Sequence, residues 1–154
     1  MERYVRTSVA SDVEFLADRM RDEDVEEVRA SNHTPLDALS LGLKISHPCY
    51  TLLDFSGTPF AMVGVAPSPL EGAGLIWMLG TKGIESVRFT FLKYSKYALQ
   101  RIYDECEYEL LYNYSYAKNS LHHQWLRWLG FKFLNKVVMP PNGEQFYEFA
   151  RLKG

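Results

Sequence analysis

The stretch Asn119-Ser-Leu-His-His-Gln-Trp-Leu-Arg-Trp-Leu-Gly130-Phe131 constrains the fold of this chain more than any other. Leu121, Trp125, Trp128 and Leu129 recur at three- and four-residue steps, which predicts a helix from Asn119 with these four on its buried face. Gly130 then supplies a left-handed stop, and Phe131 turns back toward the core. Directly before the helix, Leu110-Leu-Tyr-Asn-Tyr-Ser-Tyr116 reads as a strand. Alternation places Leu110, Tyr112, Tyr114 and Tyr116 on one of its faces, and Asn113 and Ser115 on the other. A chain carrying this unit needs a sheet for the strand to join and a core for the tryptophans to enter.

The 154 residues, 47% of them hydrophobic, suit a single domain spanning 1–154. A formal net charge of −2 carries no basic footprint, so nucleic acid is not an expected partner. Two cysteines, Cys49 and Cys106, without CxxC spacing point to core thiols in a reducing compartment rather than to a disulfide framework. No apolar run reaches the roughly 18 residues a membrane span requires, and no secretory h-region opens the chain. Ten Tyr, nine Phe and three Trp are first of all core material, and their polar tips also suit interfaces.

In chain order, Tyr4-Val5-Arg6 reads as a short strand, and Ser11 with Glu14 as a capping box starting a helix with Val13, Leu16, Ala17 and Met20 inside. Asp22 caps a second helix carrying Val25 and Val28; Glu23 and Asp24 sit in its first turn, where the helix dipole favours acids. The acidic run is therefore read as a helix start, not as a binding patch. Thr34-Pro35 starts a third helix with Leu36, Leu39 and Leu43 facing the core. Cys49 to Phe55 and Phe60 to Ala66 form a hairpin across Ser56-Gly-Thr-Pro59, and Leu75 to Leu79 adds a buried strand. The longest helix runs from about Ser86 to Glu107 with Val87, Phe91, Tyr94, Ala98, Ile102 and Cys106 buried. Arg88, Lys93, Lys96 and Arg101 lie off that stripe as a solvated face. Phe133 to Val138 and Gln145 to Leu152 close the chain as a hairpin across Pro140-Pro-Asn-Gly143.

Reactive chemistry is sparse. The adjacent pair His122-His123 points in directions about 100° apart on a helix, so it lacks the one-turn spacing of a zinc helix, and no metal is expected. No Gly-x-Ser-x-Gly, phosphate-binding loop or dinucleotide fingerprint occurs. His122 is read as a structural histidine at a helix start, with a base near a thioester as the competing role.

The unit around Asn119 resembles the closing half of the GNAT N-acetyltransferases, whose members carry an asparagine, a small residue three on, an aromatic seven on, and Gly-Phe eleven and twelve on. Asn119, Gly130 and Phe131 keep that register, while His122 stands in the small-residue place and Leu126 in the aromatic one. In many of these enzymes the aromatic is a tyrosine that protonates the leaving thiolate, which leucine cannot do. The run from Leu110 to Phe133 is also similar to the short GNAT-like virion-associated proteins of autographivirus-type podophages.

The resemblance implies an α/β (α+β) GNAT-like fold: a mixed, mostly antiparallel central sheet flanked by helices, in a single domain. It implies acetyl-CoA as cofactor, seated on Trp77, Leu79, Gly80, Lys82, Gly83, Asn119 and His122. Against that, Gly80-Thr-Lys-Gly-Ile-Glu-Ser lacks the second glycine of the family's pyrophosphate loop, Glu85 repels phosphate, and Leu75 to Leu79 holds no carboxylate to act as base. No catalytic residue is assigned, and acetyl-CoA binding is expected to be weak or lost. Two functions follow. One is a degenerate GNAT-fold structural or interaction protein with other phage proteins as partners, in the host cytoplasm during infection or in the virion. The other is an active N-acetyltransferase acting on an amine. Trp77, Trp125 and Trp128 discriminate them, since tryptophans plugging the gap between the fourth and fifth strands would remove the cofactor's slot.

Overall fold

Two apolar faces on one sheet set the architecture, and the period-2 pattern of the third and fourth strands draws them. The computed structural model describes residues 2–154. Its elements are β1 (Val5–Thr7), α1 (Ala10–Ala17), α2 (Asp22–Ala30), α3 (Pro35–Ile45), β2 (Cys49–Leu53), β3 (Pro59–Pro67), β4 (Ala73–Gly80), α4 (Arg88–Glu105), β5 (Leu110–Tyr116), α5 (Ser120–Trp128), β6 (Lys132–Met139) and β7 (Glu144–Leu152). Short 3-10 turns occupy Glu2–Tyr4 and Lys82–Val87.

The seven strands lie in the order β1-β2-β3-β4-β5-β7-β6. Every pairing is antiparallel except β4 with β5, which are parallel and joined through α4. The sheet is thus mixed and mostly antiparallel, as expected. Ala61, Val63 and Val65 of β3 with Ile76 and Met78 of β4 pack under α4 and α5. The alternate residues Met62 and Leu79 pack with Val13, Leu16, Val28 and Leu39 of α1, α2 and α3. Fully burying Leu16, Leu39 or Leu126 is worth about 1.5–3 kcal/mol each, as an upper estimate.

Three local expectations are corrected. Helix α1 begins at Ala10, and its cap is the Asp12 carboxylate, which accepts from the Val9 N–H at 2.9 Å rather than leaving that task to Ser11 and Glu14. Asp12 is held there by Arg6 at 2.7 and 2.8 Å and by Thr51 at 2.8 Å, partners that local sequence does not reveal. Leu36 is exposed, while Thr34 caps α3 through the Asp37 N–H as the Thr-Pro signal predicts. On α5 the buried set is His122, His123, Trp125 and Leu126, with Leu129 buried just past its end; Trp128 is 48% exposed and Leu121 is half-buried. The period is the one expected and the phase is shifted, because the buried stripe includes two histidines, His122 and His123, that the fold supplies with partners.

Gly130 ends α5 with φ +88°, the left-handed conformation its position calls for. Gly42 of α3 is required for a different reason. A Cβ there would stand 2.6 Å from the Trp77 ring, which lies over β3 and donates from Nε1 to Ser46 Oγ at 2.7 Å.

Candidate functional site

Strands β4 and β5 pair over three positions only, Ala73 with Leu110, Gly74 with Leu111 and Leu75 with Tyr112. Beyond them the strands part. The Asn113 side chain reaches across the start of the gap and donates to the Ile76 carbonyl at 2.9 Å. Further out, helix α2 crosses the gap with two carboxylates on one of its faces.

Asp24 serves the β4 side of the gap. Only 1% exposed, it accepts from the Gly80 N–H at 2.9 Å, from Arg21 Nη1 at 2.6 Å and from Asn119 Nδ2 at 3.0 Å. Arg21, itself buried, also donates to Asn119 Oδ1 from both terminal nitrogens at 3.2 Å. Burial pushes the Asp24 carboxyl above its ordinary pKa even with Arg21 beside it.

Glu27 serves the β5 side. Its Oε1 accepts from the Tyr116 N–H at 2.6 Å and from Ser115 Oγ at 3.2 Å, and lies 3.6 Å from His122 Nδ1. Ser115 Oγ and His122 Nδ1 are 3.0 Å apart. Burial opposes both charges, yet the mutual attraction prevails. With the backbone and Ser115 hydrogen bonds added, Glu27 lies below its ordinary pKa and His122 above. Burial and the charge of His122 push His123 the other way, downward, and its Nε2 lies 3.0 Å from the Tyr116 carbonyl oxygen.

Two clefts flank this arrangement. One, of about 330 Å³, opens on the α2 and α3 side, with Glu27, Trp77, Asn113, His122, Phe146 and Phe149 among its walls. The other, of about 270 Å³, lies between the start of α4 and α5, lined by Glu85, Arg88, Phe91, Leu121, Trp125 and Trp128. Trp125 stands between them, stacked at 5.4 Å on His122 and at 6.0 Å on Phe91. Its Nε1 is buried and meets no hydrogen-bond partner among the described residues.

The residues the resemblance assigned to a cofactor are therefore placed as follows. Trp77, Leu79 and His122 line the first cleft. The Gly80 N–H and the Asn119 side chain are engaged by Asp24 and Arg21. The Gly83 N–H donates to Thr81 Oγ1 at 3.1 Å inside the turn before α4, and Lys82 is exposed, 3.8 Å from Asp22. Glu85 is exposed at that turn, and Leu126 is fully buried. The Gly80 and Gly83 N–H groups and the Asn119 side chain thus each have a hydrogen-bond partner within the chain. The three tryptophans do not plug the gap together: Trp77 lies over β3, Trp128 is on the surface, and Trp125 alone stands at the gap.

Arg21, Asp24 and Glu27 line the gap and were missed by sequence reasoning: the acidic run holding Asp24 satisfies the helix dipole by itself, and Arg21 and Glu27 meet their partners only through long-range packing. One signal was present: Asp24 precedes the core residue Val28 by four, and so shares its buried face. Among the described residues no cluster of three His, Cys, Asp or Glu side chains is arranged to hold a metal ion. Nor is any described helix long and apolar enough to cross a membrane.

A seven-stranded mixed sheet that parts between its two parallel strands, with helices on both faces, defines this as a GNAT-type fold. Solved structures agree: an acetyltransferase of the GNAT family from Bacillus anthracis superposes with a TM-score of 0.73 at 12% identity, over 98% of this chain and 95% of that one. AAC(6')-Ib in complex with ribostamycin and coenzyme A gives 0.73 at 14% identity, over 97% and 93%. Spermidine N-acetyltransferase from Vibrio cholerae, in complex with CoA and spermine, gives 0.68 at 10% identity, over 96% and 94%. At these identities the likeness establishes the fold. No family model matches the chain, and no curated protein matches it by sequence.

Proposed function

We propose that this chain uses the GNAT fold as a structural or interaction protein whose acetyl-CoA seat is closed from within, and that its partners are other proteins of a phage particle. One observation carries the reading: Asp24 and Arg21 consume the Gly80 N–H and the Asn119 side chain, the polar groups that a cofactor arm in the gap would need. The Thr81 cap on the Gly83 N–H and the leucine at position 126 support it. The phage assignment, and with it a place in the infected host's cytoplasm or the virion, draws on the resemblance of residues 110–133 to virion-associated GNAT-like proteins.

Calorimetric titration with acetyl-CoA tests the reading. The expected dissociation constant is weaker than about 100 μM, roughly −5.5 kcal/mol. Micromolar binding, with turnover of an amine that falls on His122→Ala, would overturn it. The second reading, an acetyl-CoA-dependent N-acetyltransferase acting on an amine, would then hold. That reading draws on the fold neighbours, two of which are described with CoA, and on the Glu27–His122 pair at the wall of the larger cleft.

A further inference from the structure

Helix α2 forms one wall of the 330 Å³ cleft through Glu27 and Val28. Its polar attachments to the parting strands are the two carboxylates, and the two differ in kind. Asp24 faces a guanidinium, that of Arg21, at 2.6 Å. Glu27 faces an imidazole, that of His122, at 3.6 Å, and an imidazole can lose its charge as pH rises.

We propose that α2 is a proton-operated latch over the cleft, closed while His122 is protonated and holds Glu27 against β5, and released when His122 loses that proton. The geometry carries this. His122 on α5, Ser115 and the Tyr116 N–H on β5, and Glu27 on α2 meet around one carboxylate oxygen, so a single, largely enclosed oxygen ties three elements together. When the imidazole is neutral, Glu27 keeps its backbone and serine donors but faces the buried site as an uncompensated charge. Isolated buried charges are costly, and moving α2 outward hydrates the carboxylate.

The other charged groups facing His122 come from α2 and the turn before it, Asp24 and Arg21. They form a pair of opposite sign and bias the latch little. On α5 itself the neighbour is His123, whose pKa is held down, so it opposes protonation of His122 only at lower pH. From β7 the facing group is the uncharged Phe149 ring, 6.3 Å away. Because the folded pKa of His122 lies above the ordinary 6.5, the latch is fully closed below that value and opens as pH rises through the folded one. The inference holds whether or not acetyl-CoA binds.

Amide hydrogen exchange of the full chain tests it, reading α2 relative to α4 in the same sample so that intrinsic pH effects cancel. Between about pH 6 and about pH 9 the protection of α2 relative to α4 is expected to fall at least ~10-fold, and to stay constant within ~2-fold in His122→Gln. An unchanged ratio in the wild type, or the same fall in His122→Gln, would overturn the proposal. Should that variant not fold, an NMR titration of the wild-type His122 imidazole replaces it. A transition coinciding with the loss of α2 protection supports the latch, and an imidazole that does not titrate between about pH 5 and 9 refutes it.

Discussion

Replacing Asp24 with alanine removes, in one step, the acceptor for the Gly80 N–H, for Asn119 Nδ2 and for Arg21. Arg21 is 4% exposed, so its charge is left in the interior with Asn119 Oδ1 and the exposed carboxylate of Glu23 at 3.2 Å as remaining partners. Breaking a buried pair in this way costs about 3–5 kcal/mol. The two orphaned neutral donors add to that only in part, because water enters once the site loosens, so about 4 kcal/mol is the working figure. For a chain of this size each kcal/mol moves the thermal midpoint by roughly 2–4 °C, giving a fall of about 8–16 °C. Urea denaturation followed by far-ultraviolet circular dichroism measures it directly. The double variant Arg21→Met with Asp24→Leu should recover part of the loss, since removing both charges leaves no uncompensated ion. A loss below about 1 kcal/mol for Asp24→Ala would refute the view that this pair closes the gap between β4 and β5.

Three further outcomes are expected. Gly130→Ala places a Cβ at φ +88° and should cost about 1 kcal/mol or more, read as a lower urea midpoint with an unchanged slope. Gly42→Ala improves helix propensity by about 1 kcal/mol, yet its Cβ meets the Trp77 ring at 2.6 Å, so a net loss of stability is expected in the same assay. Stability should peak in mildly acidic solution. Glu27, with its pKa lowered, contributes above the ordinary carboxylate value of 4.5 and loses that contribution as pH falls through its folded value. His122, with its pKa raised, contributes below 6.5 and loses it as pH rises through its folded value. His122→Gln should flatten the alkaline limb of a thermal-midpoint profile, and an unchanged limb would refute the assignment.

Much of the fold was legible because its signals are local. Thr34-Pro35 marked the start of α3, the turn residues Ser56 to Pro59 marked the β2–β3 hairpin, and Gly130 marked the end of α5. The α5 stripe was read one step out of phase because His122 and His123 were counted as polar. In the fold His122 is enclosed by Ser115, Glu27 and the Trp125 ring. The cap of α1 was misplaced for a similar reason, since Asp12 draws on Arg6 and on Thr51, a residue from a distant strand.

By itself the sequence determined the order of the elements and the alternation that gives the sheet two apolar faces, because period and turn chemistry act over a few residues. Only the tertiary structure decided what occupies the gap between β4 and β5. Asp24 looks like part of an acidic helix start until Gly80 and Asn119 arrive from elsewhere in the chain to meet it, and Glu27 gains its role only when Tyr116 and His122 do the same. A carboxylate's role is set by which donors surround it and how little water remains. Those are properties of long-range packing, and they are absent from any window of the sequence.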